Sequence, residues 1–484
     1  MSIYARMARC LAITPLAALA LGCSDDAPAV GDDGSSSSTA TPDDSSGSPT
    51  TLTPTTDTTA PTTDPTSEGS LDDSSSSVGV SDDCGNGDLD EGEQCDDGNF
   101  DEGDACHADC TFSFEVAWTN LHDGPASDFD NGNDVWIDAE GNAYVLGNEA
   151  SPGDTALWLQ QYLPDGREGW VYRYDGAAGG DDFGSAFAAT DDGDFLIVGT
   201  TTTDASGYDI LILRLDGATQ AVEWEVTVDG SGSGAGDDDD DSGTGIAVLG
   251  DGVAVVGSVS VDDQERDIWV GRYDASGTEQ WTATVDGAAH GFDFAQGVLP
   301  GGDGDVIVLG SEDQGDDPTI GIARVYGADG MLRDAASQDF DFYVSSGARD
   351  GDGNIVLVGY AEANNTGVDA EIRKYDPSFT ELWSVSYDGS LDDDIADGVH
   401  IDGDGNVVVV GTTYRVNQQA NALVAAWDAD GNPLWSDSYN TADVDLGEQW
   451  YGVATDATGE VVVAGYATIL GHQGDVLVRK YRPL

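Results

Sequence analysis

Carboxylates are the side chains of this 484-residue chain with the most chemical capacity. Asp and Glu number 93 against 16 Lys and Arg, giving a formal charge of −77. They recur in loops before the first strand of each unit: 179–183, five consecutive aspartates within 236–242, 392–397, and Asp293 within 292–294. Several carboxylate oxygens converging on one point suit a hard cation such as Ca²⁺, and Asp238, Asp240, Asp392 and Asp394 are the candidate ligands. No run has a complete D-x-D-x-D-G spacing, however. Asp350-x-Asp352-x-Asn354 and Asp402-x-Asp404-x-Asn406 fall where hairpin turns are expected, and there the same residues serve as turn formers. Catalytic sets are thin. His122, His290, His400 and His472 share no common position; His400 stands where other repeats carry Trp136, Ala188, Ala247 and Ala454, so a packed or channel-facing role is expected. No nucleophile elbow, H-E-x-x-H or phosphate loop occurs. So negative a field excludes nucleic acid and anionic lipid headgroups as partners.

A glycine-centred strand recurs as Gly147, Gly199, Gly257, Gly310, Gly359, Gly411 and Gly465, with gaps of 52, 58, 53, 49, 52 and 54 residues. A tryptophan follows the same beat at Trp118, Trp170, Trp224, Trp281, Trp383 and Trp435, with Leu332 in the remaining place. A period near fifty residues signals a repeat architecture. Each unit contains four strand-like runs joined by Gly/Asp/Asn turns, and the second run, such as Val407–Val410, has the continuous apolar character of a strand buried on both faces. Four antiparallel strands per unit make a β-propeller blade. After Gly465 the last unit lacks its Trp-bearing fourth strand, which appears instead at the front, at Phe114–Asn120. The expected fold is an all-β, seven-bladed β-propeller over 112–484, closed by that N-terminal strand. The tryptophans are expected to pack between neighbouring blades. A third-strand pair, Asp209 and Arg214, Asp267 and Arg272, Asp369 and Lys374, Asp475 and Lys480, places cations as structural partners for recurring carboxylates.

Ahead of the propeller the chain reads as three further segments. In 1–22, Arg6 and Arg9 precede a short apolar run, the pattern of a signal peptide. Residues 23–83 are Ser, Thr, Pro, Asp and Gly, a composition expected to form a disordered stalk. In 84–111 the four cysteines Cys84, Cys95, Cys106 and Cys110 in an exported chain predict two disulfides of open connectivity, preceding any zinc reading of Cys106, His107 and Cys110. Asp96, Asp97 and Asp104 are read as turn formers.

Three resemblances attach to these residues. Ala20-Leu21-Gly22-Cys23-Ser24 resembles the lipobox of bacterial lipoproteins, with Ala20 where leucine is usual. It implies diacylglycerol on Cys23 and, through Ser24, an outer-membrane destination at the cell surface. C-G-N-G, G-E-Q-C-D-D-G-N and C-x-x-x-C over 84–110 resemble the Myxococcus cysteine-rich repeat, with Ala105 replacing the usual glycine; this implies a surface protein and no catalysis. The glycine-centred units resemble SBBP-type β-propeller repeats, which imply a scaffold. The function expected is a non-enzymatic surface lipoprotein presenting a binding or structural module. Its partners would be the membrane through the lipid alone, an extracellular glycan or protein, and Ca²⁺. The alternative is a propeller enzyme, quinoprotein-like or carbohydrate-active, since the D-x-x-G-x-x-x-W endings resemble quinoprotein repeats.

Overall fold

The computed structural model describes residues 114–483 except 127, 177, 204–206, 231–239, 251, 262–265, 288–289, 316, 364–366, 390–392, 415–419, 442–446 and 470–472. The described chain forms seven four-stranded antiparallel sheets. Six of them use strands consecutive in sequence: blade 1 over 131–174, blade 2 over 182–228, blade 3 over 242–285, blade 4 over 294–340, blade 5 over 343–387 and blade 6 over 394–439. Blade 7 takes three strands from 448–483 and its outermost from Phe114–His122. That strand pairs antiparallel with Asp475–Pro483, from Phe114 opposite Pro483 to His122 opposite Val476. The seven-bladed ring closed by its N-terminal strand is therefore the fold. The first strand of each blade packs against the first strand of the next, so these strands surround the central axis.

The recurring glycine has a steric cause. A Cβ built on Gly199 would stand 1.8 Å from the carbonyl oxygen of Phe183, on the innermost strand of the same blade, and one on Gly359 would stand 1.8 Å from that of Tyr343. The second strand passes too close to the first for any side chain at that beat. The rest of the second strand is aliphatic because it is covered on both faces: Val145, Leu146, Ile197, Val198, Val255, Val256, Val308, Leu309, Val358 and Val410 are all at most 1 % exposed. Where the strand is covered by neighbouring blades, continuous apolar burial is the main favourable term.

The tryptophans stand on the outer strands. Trp118 of blade 7 stacks on Tyr162 of blade 1 at 5.8 Å and donates its indole N–H to Pro164 O. Trp224, Trp281 and Trp383 donate in the same way to Ala275 O, Ala328 O and Ala429 O, each in the third-to-fourth-strand turn of the following blade. Trp170 lies against Phe195 of blade 2 at 6.0 Å, and Trp435 against Phe114 and Tyr481 of blade 7. Leu332 does not fill the missing beat, since it is 42 % exposed and joins blade 4 only through an isolated bridge to Tyr326. A 3₁₀ turn at Asp334–Ala336 interrupts the strand, which resumes as Gln338–Phe340. Phe340, 6 % exposed, packs on Tyr375 and Phe379 of blade 5 instead.

Candidate functional site at the channel mouth

The innermost strand of every blade slips register at the same place. The slip leaves one residue unpaired: Asn133, Ser185, Thr244, Gln296, Ser345, Asp397 and Tyr451. Such bulges re-aim a side chain, and all seven are polar. In blades 4 to 7 they meet a group of tyrosines near the face where innermost strands begin and second strands end. Tyr343 and Tyr360 of blade 5 stack at 4.8 Å with a 19° interplanar angle. Tyr451 and Tyr466 of blade 7 lie 6.0 Å apart, and Phe129 packs on Tyr466 at 5.0 Å. Gln296 donates to the Tyr343 hydroxyl at 2.5 Å, Gln449 donates to Asp397 Oδ2 at 2.7 Å, and the Tyr451 hydroxyl donates to Gln449 Oε1 at 3.3 Å. These side chains are half-buried, as expected of groups lining a channel that water enters.

Asp397 is the electrostatic centre of the group. Burial pushes its carboxyl up to about 7, opposed by the Gln449 hydrogen bond. Burial raises the phenols of Tyr343, Tyr360, Tyr451 and Tyr466, and the Asp397 charge adds a smaller push in the same direction. At neutral pH the site thus presents neutral phenols, two carboxamides and a carboxyl poised between its two forms. It can hydrogen-bond hydroxyl groups as donor and acceptor and cover an apolar ring face with aromatic area. The innermost strands also position His400, at the far end from Asp397; Thr455 lies 2.9 Å from its Nδ1, and burial lowers its pKa. A shallow depression of about 420 Å³ lies elsewhere, on the outer edge of blade 4 beside the broken strand, lined by Arg324, Leu332 and Gln338 among others. It is open to solvent and lies away from the innermost strands, so the channel mouth is the better candidate.

Of the residues singled out from the sequence, Cys23, Cys84, Cys95, Cys106, Cys110, Asp238, Asp392 and His472 lie outside the described residues. Asp240 is solvent-facing, with Arg266 at 3.9 Å. Asp394 is fully buried at the start of the innermost strand of blade 6, where Oδ2 accepts the Gly389 N–H at 2.8 Å. The third-strand cations pair across the blade: Arg214 with Asp194 at 2.6 Å, Lys374 with Asp350 at 3.5 Å, Lys480 with Glu460 at 2.6 Å, while Arg272 donates to Gly304 O. The aspartates opening those strands lie at the opposite end, on the face of the channel mouth, beside carboxylates of the blade junctions. Burial raises Asp130, Asp241, Asp267 and Asp293 there to about 6.

No family model matches the chain, and no curated protein matches it. Solved structures similar to it include a protein of unknown function from Dyadobacter fermentans, at 11 % identity and a TM-score of 0.47, covering 77 % of this chain and 100 % of that one. The β-propeller domain of the Trilobed protease from Pyrococcus furiosus aligns at 11 % identity and a TM-score of 0.42, over 72 % of this chain and 94 % of that one. The polysaccharide lyase Uly1 aligns at 9 % identity and a TM-score of 0.43, over 77 % and 98 % respectively. Likeness of this order carries no argument about function.

Proposed function

We propose that the protein is an extracytoplasmic binding module whose ligand is a neutral glycan seated at the channel mouth between blades 4 and 7. The observation that carries this reading is the cluster of Tyr343, Tyr360, Tyr451 and Tyr466 around Asp397, with Gln296 and Gln449. A sugar ring offers an apolar face to a phenol and a rim of hydroxyls to carboxyl and carboxamide groups. A concave site with aromatic walls and a few converging polar groups is the usual form of a small-molecule seat. The strongly negative body disfavours an anionic polysaccharide. In the same reading Cys23 carries a lipid at the outer membrane, 23–83 is a spacer, and Cys84, Cys95, Cys106 and Cys110 form two disulfides. The protein acts by holding its ligand at the cell surface rather than by transforming it.

The test is a glycan array with the purified full chain, followed by calorimetry on any hit. Saturable binding of a neutral glycan, reduced at least ~10-fold by Tyr360→Ala, is the expected result; a loss of 1.4 kcal/mol corresponds to that factor, and stacking of one ring supplies about that much. A Tyr360→Ala variant that binds the hit as tightly as the parent removes the site, and an array silent for neutral glycans removes the reading.

A further inference from the structure

The junction of blades 3 and 4 brings three carboxylates together from three successive elements. Asp267 lies near the start of the third strand Arg266–Asp274, Asp286 follows the outer strand Glu279–Val285, and Asp293 precedes the innermost strand of blade 4. One oxygen of each lies within 4.8 Å of the others. Asp293 is fully buried and accepts the Gly287 N–H at 2.5 Å and the Asp313 N–H at 2.8 Å. Asp286 pairs with His290 Nδ1 at 2.6 Å. Asp267 is 4 % exposed, and its Oδ1 is sealed from solvent without a hydrogen-bond partner. A buried carboxylate oxygen left in this way is costly unless a cation meets it.

The arrangement repeats. Asp209, Asp229 and Asp241 form the same trio between blades 2 and 3, and Asp123, Asp130 and Asp475 between blades 7 and 1. Between blades 5 and 6, Oδ1 of Asp369 and Oδ1 of Asp394 are likewise buried without partners. The exceptions are as informative. At the position of Asp267, which pairs with Val259, blades 1 and 4 carry Ala156 and Ile320, paired instead with Glu149 and Glu312. Each of those glutamates has an arginine on it, Arg173 and Arg324 respectively. In those two blades the chain supplies a guanidinium of its own and the aspartate is missing; at Asp267 the buried Oδ1 is left open to a cation from solution.

We infer that the aspartate trios at the blade junctions are divalent-cation sites selective for Ca²⁺, with Asp267, Asp286 and Asp293 the best defined. Carboxylate oxygens are the ligands a hard cation prefers, and a site on irregular loops tolerates the loose geometry of Ca²⁺ better than the strict octahedron of Mg²⁺. The ligands proposed are the buried Asp241 and its equivalents. The inference stands independently of what the channel mouth binds, because the junctions lie between blades and use none of the channel tyrosines.

The experiment uses the full chain, stripped with chelator and returned to CaCl₂, MgCl₂ or NaCl at equal ionic strength. Extracellular modules bind Ca²⁺ with dissociation constants of about 10⁻⁴–10⁻³ M, so ~10 mM Ca²⁺ should raise the folded-to-unfolded ratio roughly 10- to 100-fold per site. The melting temperature rises with Ca²⁺ and not with matched Mg²⁺ or NaCl. Equilibrium dialysis of Asp267→Asn counts one ion fewer per chain than the parent, while the ion-free variant melts no lower. Asp241→Asn, in the neighbouring trio, repeats the count should Asp267→Asn fail to fold. A melting temperature that responds equally to all three salts, or an ion count unchanged in both variants, overturns the inference.

Discussion

Replacing Asp397 by Asn should stabilise the protein in a way that depends on pH. In the folded chain the Asp397 carboxyl is raised from 3.8 to about 7 by burial. A raised carboxyl favours the protonated native state, so its contribution is fully present below pH 3.8 and is lost as pH rises through about 7. Above pH 7 the parent therefore carries an ionised, desolvated carboxylate. Three pH units at 1.36 kcal/mol each set an upper bound of about 4 kcal/mol. Asp397 is only half-buried, and solvent screening reduces the figure to about 2–4 kcal/mol. Asn keeps the acceptor that Gln449 uses and removes the charge. With an unfolding entropy of about 2.1 cal/mol/K per residue, a propeller of this size should gain ~3–5 °C in melting temperature at pH 8. At pH 4 the two proteins should melt together. Thermal unfolding of parent and variant across pH 4–8, followed by near-ultraviolet circular dichroism, gives the difference directly. A variant that melts at or below the parent at pH 8, or a difference that does not vary with pH, refutes the reasoning.

Two further outcomes concern the seam. Phe114→Ala removes a 6 % exposed ring that packs on Trp435 and Tyr481 at 5.3 and 5.2 Å; it should cost about 3–5 kcal/mol, and limited proteolysis should then release the strand Phe114–His122 before any internal strand. Arg173→Ala leaves Glu149, whose side chain is 1 % exposed, with His122 alone, and should cost about 2–3 kcal/mol at neutral pH. Burial acts on Glu149 most strongly and would raise it, but hydrogen bonds from Arg173 and His122 together hold it down to about 2. The stability this gives is present above pH 4.5 and lost as pH falls through 2, so denaturant melts of parent and variant should converge toward pH 2.

The ring was readable from the sequence because its constraint is local and identical in every blade. A Cβ at Gly147 or Gly411 would stand 2.0 Å from a carbonyl oxygen of the adjacent strand, so glycine returns at each beat and marks the count. The front strand was readable because Trp118 matches Trp435 while no tryptophan follows Gly465 to supply the outer strand of the last unit. Blade 4 misled: the 3₁₀ turn at Asp334–Ala336 carries the chain away from the sheet, and the aromatic anchor moves on to Phe340. The channel mouth was illegible for a different reason. Its bulged positions require only a polar side chain aimed at the axis, so Asn133, Ser185, Thr244 and Asp397 share no residue type. The carboxylate trios were half visible. Asp209, Asp267, Asp369 and Asp475 stood out as a series, but their neighbours Asp241 and Asp293 come from the next blade.

One consequence follows from the way the circle is fastened. The clasp is the nine-residue strand Phe114–His122, and it is also the segment through which residues 1–113 join the body. Tension drawn along that leader falls first on the hydrogen bonds to Asp475–Pro483 and on the Phe114 ring wedged beside Trp435. Clasp and connection are one piece, so a pull along 1–113 strong enough to free Phe114–His122 would also spring the ring.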